Sequence, residues 1–207
     1  MHRHNNQITK PRLSVGALKM DMERIINIIE NINKNKRLLV IGIDGPCASG
    51  KTTIAAKLEK KLGAQVIHTD DFFLPLELKT PERISQPGGN IHYERFSQEI
   101  ANGIESDKPF EYGVYRCCEG RIAEKKTVNS KGIIVVEGSY SLHPLMGVDY
   151  ALRVFVEAPL EIRLERILER NGKEKLEEFK EKWIPLENKY FEHFGIKEKC
   201  DIVIEQK

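Results

Sequence analysis

The chain has 207 residues, 40% of them hydrophobic and 31% charged, enough for one globular domain that buries ~70% of its unfolded-chain surface and too apolar for a disordered chain. Lys and Arg number 33 against 31 Asp and Glu, a formal charge of only +2, which excludes a protein whose main work is coating nucleic acid and confines any cationic site to a local patch. The longest apolar stretches, 38–43 and 133–136, fall far short of the ~18 residues of a membrane span, and the opening Met-His-Arg-His-Asn-Asn lacks an apolar signal core, so a cytoplasmic protein with no membrane partner is expected.

Cys47, Cys117, Cys118 and Cys200 form neither a CxxC pair nor a zinc-like spacing. They read as free thiols of a reducing compartment, since a domain of this length stands on its core and neighbouring cysteines bridge only with strain.

In chain order, residues 1–16 read as a flexible polar leader and residues 17–207 as a single domain. Leu18, Met22, Ile25, Ile29 and Ile32 recur at helical spacing and predict an amphipathic helix over 17–33, packed on its own domain. Arg37-Leu-Leu-Val-Ile-Gly-Ile-Asp44 then reads as a strand ending in a glycine-rich turn, and Ile54, Ala55 and Leu58 as the inner stripe of the helix that follows. Between them Gly45-Pro-Cys-Ala-Ser-Gly-Lys51-Thr52 matches GxxxxGK[ST], the phosphate-binding loop, in the strand–loop–helix setting it requires. Its glycines let backbone N–H groups turn inward around phosphate oxygens, Lys51 reaches the β and γ phosphates, and Thr52 offers a hydroxyl to magnesium. Gly45, Ala48, Ser49, Gly50, Lys51, Thr52 and Thr53 are thus the expected nucleotide-binding residues of this segment.

The next strand, Gln65–Asp70, runs into Asp70-Asp71-Phe72-Phe73 at its carboxyl end, the side of an open α/β sheet where ligands bind. An acid there can take the proton of an acceptor hydroxyl. Residues 74–89, with Pro75, Pro81, Pro87 and Gly88-Gly89, read as a long excursion over one sheet edge. Gly132–Glu137 is an apolar strand ending in Glu137-Gly138, a Walker-B-like signal with Glu in place of Asp. Residues 150–157 and 201–204 complete a set of five strands separated by helical stretches, which predicts an α/β fold of three layers with a five-stranded parallel core sheet. Arg163, Arg166 and Arg170 repeat at i, i+3 and i+7, so they are expected to share one face with their guanidinium groups open to phosphates, while Leu160, Leu164 and Ile167 face elsewhere. Lys173–Trp183 reads as a short packed helix carrying Leu176, Phe179 and Trp183 on one side.

Gly45–Thr52, Asp70-Asp71-Phe72-Phe73, Glu137-Gly138 and Arg163-Leu-Glu-Arg166 together resemble the uridine kinase-like P-loop kinases, which include nucleoside, nicotinamide riboside, pantothenate and phosphoribulose kinases; the likeness spans roughly residues 37–207. The resemblance implies a kinase transferring the γ-phosphoryl group of ATP to a hydroxyl of a small metabolite, with Asp70 as catalytic base, Lys51 beside it, and Mg2+ held by Thr52, Glu137 and Asp70. It also makes residues 160–185 a lid in which Arg163 and Arg166, and less firmly Arg170, reach the nucleotide. On the acceptor side, Asp71, His92, Tyr112 and Arg116 are the candidate contacts. The stretch Tyr112-Gly-Val-Tyr-Arg116-Cys-Cys keeps the tyrosine of the Tyr-Asp-Phe segment of uridine kinases, but has glycine for the acid and cysteine where a histidine would fall. A nucleoside is the favoured acceptor, with a vitamin riboside or pantothenate as the alternative on the same fold, and an ATP-binding regulatory module without turnover as the alternative of another class. A GTPase is disfavoured because Asn33-Lys-Asn-Lys36 lacks the acid of the guanine-reading NKxD and precedes the phosphate loop. The expected partners are ATP and the acceptor; homo-oligomerisation stays open.

Overall fold

The computed structural model describes residues 22–34 and 36–206; the leader 1–16 and the first turn of the expected helix, Leu18 included, lie outside them. In chain order come α1 (Met22–Asn33), β1 (Leu38–Asp44), α2 (Lys51–Leu62), β2 (Gln65–His68), a 3-10 turn at Thr69–Phe72 and α3 (Pro81–Ser85). Next α4 (Tyr93–Phe96) runs through a π-helical stretch at Ser97–Ala101 into α5 (Asn102–Glu105), followed by the antiparallel pair β3 (Phe110–Arg116) and β4 (Arg121–Val128). Then β5 (Gly132–Glu137), β6 (Leu152–Glu157), α6 (Leu160–Asn171) and α7 (Lys173–Glu178) lead through a π-helical Phe179–Trp183 into α8 (Ile184–Phe194) and β7 (Ile202–Glu205).

The core sheet has five strands in the order β2-β5-β1-β6-β7, all parallel, with helices on both faces. This is the architecture expected from the sequence, and strand alternation explains it. Leu39, Ile41 and Ile43 of β1 point to one side and join Ile25 and Ile29 of α1 and Ile54 and Leu58 of α2. Val40 points to the other and joins Phe96, Ile100 and Tyr190. Each such side chain contributes ~1.5–3 kcal/mol on burial, so the sheet is sealed between two apolar layers and its ligand site is left to the strand ends.

Two elements were not legible in the sequence. The β3–β4 hairpin packs only one side of β3 on the core, through Tyr112 and Val114, while β4 is exposed along most of its length, so no clean alternation marks it. Helix α8 runs on from the π-helical turn at Phe179–Trp183 with Pro185 just inside it, and a proline at that place reads as a helix stop in the sequence. Among the described residues no helix is long and apolar enough to cross a membrane.

Candidate active site

The site grows from the carboxyl ends of β1, β2 and β5. After β1 the chain turns at Gly45 with φ +141°, and a Cβ there would lie 2.0 Å from the Val156 carbonyl oxygen, so only glycine passes. Ala48, inside the loop, also has positive φ, 58°, and α2 starts at Lys51 with its free amides facing the loop. Lys51 is 6% exposed, and its ammonium donates to the carbonyls of Gly45 (2.8 Å) and Pro46 (2.9 Å). Beneath it Asp44, fully buried, accepts from the amides of Gly45, Tyr140 and Leu142 and from the Tyr190 hydroxyl at 2.7–3.1 Å. Burial pushes its carboxyl up to about 6, against the pull of these hydrogen bonds and of Lys51. Asp44 thus ties the loop after β1 to the loop after β5.

Register places Glu137 opposite both Ile43 of β1 and His68 of β2. Thr52 Oγ1 donates to Glu137 at 3.2 and 3.3 Å, and His68 Nδ1 lies 2.6 Å from Glu137 Oε1. That hydrogen bond raises the imidazole pKa, with burial opposing it. Gly138, at φ +132°, lets the chain bend over Thr69, whose Oγ1 would sit 2.0 Å from any Cβ there. A hydroxyl and a carboxylate are hard oxygen donors that suit Mg2+. Thr52 and Glu137 supply two such donors; among the described residues there is no group of three or more His, Cys, Asp or Glu that could hold a metal ion.

These groups open into a cleft of about 470 Å³ with Lys51, Thr52, Asp70 and Glu137 at its base, Phe73, Asn90 and Tyr140 on one side, and Arg170, Lys175 and Trp183 from the 160–185 region on the other. Asp70 is open to water from the cleft, yet neighbouring protein crowds its carboxyl, and this desolvation raises its pKa; Lys51 lowers it and Glu137 raises it further. A second groove of about 380 Å³ lies beyond the loop, lined by Thr53, Arg166, Arg170 and Gln206.

The arginine face differs from its sequence reading. Arg163 is 6% exposed and turns inward with Ile167, its i+4 neighbour. Its Nε donates to the Cys47 carbonyl at 3.1 Å, and Arg166 donates to that of Ala48 at 3.0 Å. These two guanidinium groups brace the phosphate loop rather than standing open to solvent, because the loop carbonyls point at the face of α6 that packs on the body. Arg170 is exposed and bonds Asn171.

The expected acceptor set is likewise dispersed rather than gathered. Tyr112 is 2% exposed and stacked on Phe72, with its hydroxyl donating to Asp71 Oδ2 at 3.2 Å; Lys126 Nζ donates to the same oxygen at 3.3 Å. Asp71 and Tyr112 are therefore turned to each other under the hairpin, where burial favours mutual satisfaction over an open position. His92 caps α4, its Nδ1 accepting from the Arg95 amide, and Arg116 pairs across the hairpin with Glu124 at 2.7 Å. None of the four lines the cleft around Lys51. Those that do and that the sequence reading missed include Ser139, Tyr140 and Glu187, which carry no local pattern; His68 stands outside the lining and reaches the site through Glu137. Asn90, which follows two glycines, lines the cleft as well. Burial and the adjacent Glu187 push the Cys47 thiol up to about 12, which favours its protonated form.

A family model described as the cytidylate kinase-like family matches residues 40–192. The uridine kinase of Cronobacter sakazakii is 28% identical over 162 residues, 69% of this chain and 73% of that one, and the uridine kinase of Yersinia enterocolitica is 27% identical over 158 residues, with the same coverage. Among solved structures, a possible uridine kinase from Bacillus stearothermophilus superposes with a TM-score of 0.63 at 20% identity, covering 88% of this chain and 97% of the other. A D-glycerate 3-kinase from Cryptococcus neoformans gives 0.61 at 17% identity, covering 89% and 95%. The phosphate loop between β1 and α2, the acid at the end of β5 and the braced arginine helix agree with these likenesses: the chain belongs to the cytidylate kinase-like family and is a P-loop kinase of the uridine kinase-like kind.

Proposed function

We propose that the protein transfers the γ-phosphoryl group of ATP to a hydroxyl of a small nucleoside-like metabolite, with Asp70 as the base. The observation that carries this reading is the presence of Asp70 and Lys51 in one cleft with Thr52 and Glu137. The acceptor oxygen attacks the γ phosphorus, the bond from that phosphorus to the β,γ-bridging oxygen breaks, ADP leaves, and the hydroxyl proton passes to Asp70 Oδ. Lys51 moves from the loop carbonyls to the β and γ phosphates, and the amides from Ala48 to Thr53, with Gly45 giving the turn, cradle them. Arg166 and Arg170 meet the nucleotide along the groove with Thr53 and Gln206, whereas Arg163 holds the loop in shape. Mg2+, arriving with ATP, would be held by Thr52 and Glu137, with Asp70 nearby, and supplies charge neutralisation at the phosphates. A carboxyl whose pKa lies above the ordinary range is better matched to accepting a proton than a fully solvated one. Such a reaction suits the reducing cytoplasm, where four unpaired cysteines persist.

The departure at Gly113 and Cys117 supports a second reading, in which the same chemistry serves a vitamin riboside, pantothenate or another alcohol. A screen of ADP release with MgATP across nucleosides, vitamin ribosides, pantothenate and glycerate tests both. Turnover with uridine or cytidine is expected; ATP binding without turnover on any acceptor would leave only the regulatory module.

A further inference from the structure

The Glu137 side chain is 5% exposed, and a carboxylate so enclosed stays where its hydrogen bonds hold it. Thr52 Oγ1 lies 3.2 Å from Oε1 and 3.3 Å from Oε2, and His68 Nδ1 lies 2.6 Å from Oε1. Thr52 is itself a candidate magnesium ligand, so its hydroxyl is not an anchor independent of the ion. His68 is such an anchor. Its imidazole stands outside the lining of the cleft that holds Lys51 and Asp70, with no direct task toward nucleotide or acceptor.

The strand ends explain how His68 reaches the carboxylate. β2 and β5 run parallel with His68 in register with Glu137, so the two side chains leave the same face of the sheet. One residue further on, Thr69 Oγ1 shares its proton between the carbonyls of Glu137 (3.3 Å) and Ser139 (3.0 Å), and Asp70 follows. Side chains at two successive positions of one strand end thus stitch it to the other, His68 to the Glu137 carboxylate and Thr69 to the backbone on which that carboxylate is mounted. As a carboxylate Glu137 can only accept, so Nδ1 carries the proton of its bond. Oε1 is engaged by this short contact, and Oε2 is left as the freer oxygen.

Resting on the kinase reading above, we infer that His68 is a positioning residue for phosphoryl transfer: its Nδ1–H fixes the Glu137 carboxylate beside the Thr52 hydroxyl as a preformed pair of magnesium donors. His68 touches neither ion nor substrate and acts through Glu137. A hydrogen-bond partner standing behind a metal ligand in this way is worth about 10–100-fold in metal affinity. The same bond ties the carboxylate to the strand end that carries Asp70, so the metal donors and the base keep one spacing.

The test measures binding of β,γ-imido-ATP to the full chain by calorimetry, with excess Mg2+ and with EDTA, in the wild type, His68→Ala, His68→Asn, Glu137→Gln and the double variant His68→Ala with Glu137→Gln. The His68 side chain is 37% exposed, so His68→Ala opens no core cavity and the fold holds. The wild type is expected to bind the nucleotide more tightly with Mg2+. His68→Ala should lose about 10-fold or more of that gain while its affinity in EDTA stays within about twofold. His68→Asn, whose amide nitrogen can stand where Nδ1 does, should keep most of the gain. In the double variant the loss of His68 should add almost nothing to the loss of Glu137, because the imidazole works only through the carboxylate. The positioning role is overturned if His68→Ala keeps the Mg2+ gain, if it weakens binding equally with Mg2+ and with EDTA, if His68→Asn does no better than His68→Ala, or if the two losses add in full. A wild type that gains nothing from Mg2+ overturns the kinase reading of Glu137 as well, and this outcome is distinct because it appears before any variant is compared.

Discussion

Glu187 and Cys47 lie 140 residues apart, yet the Cys47 amide donates to Glu187 Oε2 at 2.9 Å, and the other oxygen of the same carboxylate accepts from Ser139 Oγ at 2.7 Å. Helix α8, which follows the arginine-bearing region, is thereby fastened to both the phosphate loop and the turn after β5. Glu187 is 4% exposed, so its truncation takes the partner of the half-buried Cys47 amide and leaves the Ser139 hydroxyl only the Gly45 carbonyl to donate to. Glu187→Ala is expected to cost about 2–4 kcal/mol of stability, lowering Tm by about 5–15 °C. Glu187→Gln keeps an acceptor and should lose less. An unchanged Tm in Glu187→Ala, read by differential scanning, would show that the contact does not hold the loop.

Arg163 and Arg170 share a helix but not a role. Arg163 is buried against the Cys47 carbonyl, so Arg163→Gln should lower the Tm of the unliganded protein and also raise the KM for ATP. Arg170 is exposed and lines both grooves; Arg170→Gln should change stability by no more than about 0.5 kcal/mol while still weakening ATP-dependent turnover. Matching Tm losses in the two variants would contradict this division.

Much of the fold was readable because apolar runs and glycine punctuation are local signals. The β1 strand, the turn at Gly45 and the burial of Ile54 and Leu58 each follow from residues within a few positions of one another. The phosphate loop and Glu137 were legible for the same reason. The cleft wall was not. Tyr140 acquires meaning only when β5 and the 74–92 excursion meet above β2, and nothing in Ser139-Tyr140-Ser141 marks it as special. Arg163 failed differently: its spacing was read correctly, but its burial depends on where the loop carbonyls point, and a helical wheel does not contain that. Lys51 illustrates the same limit, since the motif assigns it to the β and γ phosphates but does not say that, without them, it folds back onto the Gly45 and Pro46 carbonyls.

Asp44 gives a pH test of the buried network. Its carboxyl is pushed up from 3.8 to about 6 in the folded chain, so between those values the native state holds a proton that the unfolded chain has released. Its contribution is therefore fully present below pH 4 and is lost as pH rises through 6. At about 1.4 kcal/mol per pH unit the loss is on the order of 3 kcal/mol. Asp44→Asn cannot titrate, so the stability gap between wild type and variant, measured by urea unfolding without ligand, should narrow from pH 4 to pH 7. A constant gap would mean that the four donors around Asp44 already hold it ionised at pH 4.

The two adjacent acids Asp70 and Asp71 separate catalysis from architecture. Asp70 opens into the cleft with Lys51, whereas Asp71 is 7% exposed and accepts from Tyr112 and Lys126. A base acts only as the acceptor hydroxyl attacks, so Asp70→Asn should lower kcat by about two to four orders of magnitude with little change in the KM for ATP. Its Tm should hold or rise, because the substitution removes a desolvated charge from the cleft without breaking a hydrogen bond that braces the fold. Asp71→Asn should do the reverse. It unpairs Lys126 and weakens the anchor of the hairpin, costing about 1–2 kcal/mol of stability, while kcat stays within a few-fold once temperature is kept well below the lowered Tm. Measuring kcat and Tm on both variants with the same acceptor yields a crossed pattern if each acid has the role assigned to it. A greater kcat loss in Asp71→Asn than in Asp70→Asn, at equal folded fraction, would move the base to Asp71 and require the Tyr112–Lys126 network to open when the acceptor binds.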